Sequence, residues 1–104
     1  MIKVKIEIKN NSLKKINISG HANYNDYGKD IVCASCSSIL VTTVNAIIEI
    51  DESAIEYIDN GSIVTINILK DNDIVNKLLN NMLSLFKDLT KDYKDYIKII
   101  KEES

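Results

Sequence analysis

Ile2, Val4, Ile6 and Ile8 alternate with Lys3, Lys5, Glu7 and Lys9 at the start of the chain. Successive side chains of a strand point to opposite faces, so this period of two predicts a half-buried strand. Asn10-Asn11-Ser12 supplies a turn, and Leu13 to Ser19 repeats the alternation through Ile16 and Ile18, which predicts an antiparallel hairpin closed by Gly20. A second hairpin is predicted where Ala54 to Ile58 and Ser62 to Leu69 flank Asp59-Asn60-Gly61, because Asn-Gly adopts the positive φ values of tight hairpin turns.

The period changes in two places. After Asp71 or Asn72, the residues Ile74, Leu78, Leu79, Met82, Leu85, Phe86 and Leu89 recur at three- and four-residue spacing, the stripe of an amphipathic helix lying on a sheet. Core packing accounts for Met82 and Phe86 without any cofactor. Ile31 to Ile50 carries no charge before Glu49 and is long enough to cross a bilayer, but its Ser and Thr residues and Asn45 favour a helix buried on most sides within the domain. Asp30 is placed to accept from the first free amides of this helix, Asp51 and Glu52 end it, and Ile39, Val44, Ile47 and Ile48 are its inward candidates. Tyr96 to Ile100 reads as a last, edge strand, with Lys101 to Ser104 fraying. The expected fold is α+β in the order ββαββαβ, with two helices packed on a mostly antiparallel sheet in a single domain spanning residues 1–104.

Composition narrows the partners. All thirteen basic residues are Lys, fifteen acidic residues are interleaved with them, and the formal charge is −2, so no basic stripe awaits a nucleic acid. The N-terminus alternates charge with apolarity and lacks the continuous apolar core of a signal peptide, and the two cysteines do not resemble a secreted disulfide framework. A cytoplasmic protein, neither exported nor bound to a membrane, is expected.

His21 is the only histidine, and it ends a predicted strand twelve positions before Cys33. A thiol with pKa near 8.5 is only about 3% ionised at pH 7, so a nucleophilic cysteine needs something that favours the anion. At a predicted helix start, free amides, the helix dipole and a protonated His21 nearby supply that influence. Cys33 Sγ then attacks a peptide carbonyl, His21 holds and delivers the proton required by the leaving amine, and amides at the helix start are candidates to stabilise the oxyanion. Asp30 can orient His21, cap the helix, or both. The exposed segment from His21 to Lys29 has no periodicity and joins strand to helix. On spacing alone, a lone His near a strand end is more often an ordinary surface or packed residue, and a Cys in an apolar helix is more often core.

Gly20-His21-Ala22, then Gly28-Lys29-Asp30-Ile31-Val32-Cys33-Ala34, then Ser37 resembles the motif of the bacterial ribosomal-processing cysteine proteases (the Prp family) over about eighteen residues. The resemblance implies an endopeptidase that trims the N-terminal extension of large-subunit ribosomal protein twenty-seven after an aromatic residue. By motif position Cys33 is the nucleophile and His21 the base. It also implies a homodimer, no cofactor or metal, and a mobile loop at Asn23, Tyr24, Asn25, Asp26, Tyr27 and Gly28. Ser37 lies one turn beyond Cys33, where it can hydrogen-bond near the site or satisfy a helix carbonyl. Cys36 departs from the family, which usually carries a small apolar residue there. It can pack as a small hydrophobe or trap Cys33 in a disulfide.

Three other readings compete. Cys33-Ala34-Ser35-Cys36 fits a C-x-x-C redox motif, although the chain has no proline to sit beside a dithiol and this reading leaves His21 without a task. A metal could recruit Cys33, Cys36, His21 and Asp26 or Asp30, but structural zinc sites draw ligands from two paired clusters and one is visible. A non-enzymatic, ribosome-associated module could bind an extended peptide at a sheet edge.

Overall fold

The computed structural model describes residues 1–20 and 27–104, and for 27–30 the backbone alone. The order is β1 (Ile2–Lys9), β2 (Ser12–Ser19), α1 (Tyr27–Ile50), β3 (Ile55–Asp59), β4 (Ile63–Ile68), α2 (Asp73–Asp92) and β5 (Ile97–Glu103). The α+β expectation and the order ββαββαβ hold.

One five-stranded sheet runs β3-β4-β2-β1-β5. Every pair is antiparallel except β1 with β5. Asn10 and Asn11, at φ 52° and 63°, turn β1 into β2, a conformation asparagine tolerates better than most residues. The hairpin also carries a bulge, since Glu7 pairs with Lys15 but Ile8 pairs with Leu13. Leu13 and Ile16 are three apart, so a regular strand would place them on opposite faces. Skipping Lys14 brings Leu13 to the core side, where it packs against the buried cluster.

Strands β2 and β3 are parallel, since both run against β4, and β4 and β5 are parallel through β2 and β1. Each helix is therefore a crossover between parallel strands, and both helices cover the same sheet face. Ile2, Val4, Ile16, Ile18, Val64, Ile66 and Ile97 meet Val32, Leu40, Val44, Ile47, Val75, Leu79, Met82 and Phe86 in one core. The opposite face is open and polar, with Thr65 Oγ1 donating to Asn17 Oδ1 at 2.9 Å and Lys5 Nζ paired with Glu102 at 3.2 Å.

Several expectations need correction. Helix α1 begins at Tyr27, so Asp30 is its fourth residue rather than its cap, and Tyr27 and Gly28 belong to its first turn rather than to a loop. It is not buried on most sides, because within positions 31–50 only Val32, Cys36, Leu40, Thr43, Val44 and Ile47 are buried. Val32, Cys36, Leu40, Val44 and Ile47 face inward, Ile39 is half-buried, and Ile48 is exposed. Asp51 ends the helix as expected. Its carboxylate accepts from the hydroxyl and amide of Ser53 and from Lys70, and these bonds, that of the Ser53 hydroxyl first, hold it below the usual carboxylate range.

Helix α2 starts where expected, with Asn72 Oδ1 accepting from the amides of Ile74 and Val75. Its buried stripe is Val75, Leu79, Met82 and Phe86, which leaves Ile74 and Leu85 at the surface. Strand β5 is an edge, but Lys101 to Glu103 do not fray. Parallel pairing with β1 continues to Ile8↔Glu103, and the Ser104 amide donates to the Ile8 carbonyl at 3.0 Å.

Candidate active site

Cys33 is the seventh residue of α1. Its amide therefore lies past the free first turn, and helix geometry directs it to the carbonyl of Lys29. The dipole acts mainly within the first turn. The expected contributions of the helix start to the thiolate and to an oxyanion are thus not available from Cys33's own position. Its half-buried side chain packs against the core cluster. His21, Asn23, Tyr24, Asn25 and Asp26 lie outside the described residues, as does the side chain of Asp30.

What can be located is the strand that leads to His21. Gly20, at φ +77°, ends β2 against the Met1 carbonyl, close enough that any Cβ would strike it. The motif glycine is thus required by a close backbone approach immediately before the histidine.

Residues three and four apart share a helix face. At the ideal 100° per residue around α1 from Cys33, Ser37 stands about 40° away, Leu40 about 20°, Cys36 about 60° and Val41 about 80°. Cys36 is buried. Loss of solvent, reinforced by the neighbouring Cys33, pushes its thiol up to about 12. A redox dithiol needs its second sulfur to attack as a thiolate, and Cys36 is held protonated at neutral pH. It packs among the core side chains as a small hydrophobe.

The face around Cys33 borders a small pocket of about 100 Å³ lined by Cys36, Ser37, Leu40 and Val41 of α1, Ile18 of β2, Tyr57 and Asp59 of β3, and Val64 of β4. Ser37, predicted as possible support, is exposed in that wall. The strand residues had no signal in the sequence, since three separate strands bring them together. Two larger openings are elsewhere: one of about 530 Å³ along the α1–α2 seam, including Ala34 and Ser38, and one of about 980 Å³ between α2 and the β1–β5 side. Size does not identify the site. The α1–α2 seam lies about 100° or more around the helix from Cys33, and the cleft of about 980 Å³ contains no α1 residue.

Among the described residues, Cys33 stands on α1 about one turn from a small pocket, and residues 1–98 match the family model described as cysteine protease Prp. The chain belongs to that family. It is a cysteine protease, a hydrolase, as the motif implies. The ribosomal processing cysteine protease Prp of Staphylococcus aureus is 35% identical over 85 residues, 79% of this chain and 80% of the relative. A crystal structure of the S. aureus ribosomal processing protease Prp with a substrate peptide superposes with TM-score 0.90 at 28% identity, covering 98% of this chain and all of that one. Another, with a covalently linked product peptide, gives 0.83 at 33% identity and the same coverage.

Proposed function

We propose that the chain removes the N-terminal extension of large-subunit ribosomal protein twenty-seven in the cytoplasm, as a homodimer, through a Cys33–His21 dyad. The observation that supports this reading is a pocket whose wall includes Ile18, three residues before His21 in the sequence, and Cys36 and Ser37, one turn along α1 from Cys33. The S. aureus relatives with bound substrate and covalently linked product peptides support a peptide substrate and a covalent route.

In this mechanism the Cys33 thiolate attacks the scissile carbonyl carbon and forms the C–S bond. His21 gives its proton to the amide nitrogen, the C–N bond breaks, and the amine product leaves. Water, deprotonated by His21, attacks the thioester, the C–S bond breaks, and the acid product leaves with the Cys33 thiolate and the protonated His21 restored. In this reading Asp30, which does not cap α1, orients His21.

The test is incubation with a peptide copying the ribosomal extension, followed by mass analysis. Wild type should yield two fragments. Cys33→Ser and His21→Ala should remain folded and lose at least about 10³-fold in kcat/KM. Unchanged cleavage by Cys33→Ser would refute the dyad.

A further inference from the structure

We infer that the pocket between α1 and the β2–β4–β3 side of the sheet receives one apolar side chain of the peptide substrate, with Val41 and Tyr57 setting the size accepted. This assignment rests on the protease reading above.

Its position is the first reason. The pocket opens on the helix face that carries Cys33, one turn along α1, and touches the strand that leads to His21. Its lining is the second. Ile18, Leu40, Val41, Tyr57 and Val64 give apolar walls, and Ser37 and Asp59 supply the polar groups. An apolar cavity of about 150 Å³ holds a benzene molecule, so a pocket of about 100 Å³ suits one aliphatic side chain or a ring entered partway. Val41 is 48% exposed and forms an apolar lip.

The third reason is topology. Strand β3 is an edge of the sheet, so an extended segment can pair along it through main-chain hydrogen bonds. Side chains directly opposite in such a ladder point to the same face. Tyr57 lies on the helix-covered face, packed against the core, and Asp59, two residues on, shares it. A substrate residue paired opposite them therefore aims its side chain at α1 and the pocket. Asp59 adds a negative charge at that wall, which disfavours an acidic residue there. Tyr57 does not share that charge, because burial, and then Asp59, raise its phenol above the ordinary range and keep it neutral.

The experiment uses the peptide copying the ribosomal extension, with each apolar position replaced singly by Ala, Leu, Trp and Asp, against wild type, Val41→Phe and Tyr57→Ala. At one position wild type should prefer Leu over Ala and reject Asp by tenfold or more. Val41→Phe should lose at least tenfold in kcat/KM for Leu and recover with Ala at that position alone, while Tyr57→Ala should gain activity towards Trp there. Alkylation of Cys33 by iodoacetamide, which needs no pocket, should proceed at the wild-type rate in both variants. If both retain the wild-type order of preference at every position, the pocket is not a substrate subsite, although the protease reading stands. If wild type cleaves none of the peptides while Cys33 still alkylates, the substrate reading fails and takes this assignment with it.

Discussion

Cys36 differs from Cys33 by one helical turn and by burial, and that difference has a measurable sign. Its folded thiol is held near 12, well above the ordinary thiol range, so between about pH 9 and that value the unfolded chain releases a proton that the folded chain keeps. The unfolded state then binds fewer protons, and stability falls as pH rises. The contribution is fully present below about pH 9, and its loss approaches about 1.4 kcal/mol per pH unit above that point. Urea unfolding at pH 7, 9 and 10.5 should show this slope in wild type and a shallower one in Cys36→Ala. An equal slope in both would place the alkaline instability elsewhere. At this scale the sequence was legible for chemistry: His21 and Cys33 were visible as residue types in a motif. Tyr57 and Asp59 were not, because nothing local marks a strand residue as the wall of a pocket formed with a helix.

The two helices show how periodicity reads well for existence and less well for orientation. In α2 the apolar positions are so dense that two stripes fit the same spacing, one through Ile74, Leu78 and Leu85 and one through Val75, Leu79, Met82 and Phe86. Packing on the sheet selects the second. Truncating a fully buried aromatic removes its transfer energy and leaves a cavity, so Phe86→Ala should cost about 3–5 kcal/mol. Leu85→Ala, at a position 39% exposed, should cost less than about 1 kcal/mol. Urea midpoints at constant m-value measure the contrast, and comparable losses would mean that α2 is rotated. For α1, a nearly uncharged run reads as apolar all round, but its Ser, Thr and Asn residues and several apolar ones face outward. Its start was misplaced by four residues, since Gly28 and Asp30 look like a boundary when taken alone.

Across the molecule, protection should follow strand order. Strands β1 and β2 are paired on both sides, whereas β3 and β5 each have a free edge. Amide hydrogen exchange should therefore be slowest in β1 and β2 and faster at the outward amides of β3, where local opening exposes fewer contacts. Binding of the ribosomal peptide to Cys33→Ser should slow exchange specifically in Ile55–Asp59 if the substrate pairs along that edge. Slowing confined to β5 would move the peptide to the other side of the sheet.

The strands, the helices, their order, both turns and the Cys33–His21 pairing as a hypothesis were determined by the sequence itself. Alternation, helical spacing, the Asn-Asn and Asn-Gly turns and a motif carrying a thiol and a base are all properties of short stretches of the chain. Only the tertiary structure decided the sheet order β3-β4-β2-β1-β5, the parallel β1–β5 pair that keeps the C-terminal strand from fraying, the bulge at Lys14, the inward stripe of each helix and the pocket beside Cys33. Each depends on which distant surfaces meet, and that choice is made by burying the most apolar area around one core rather than by any local preference of the chain.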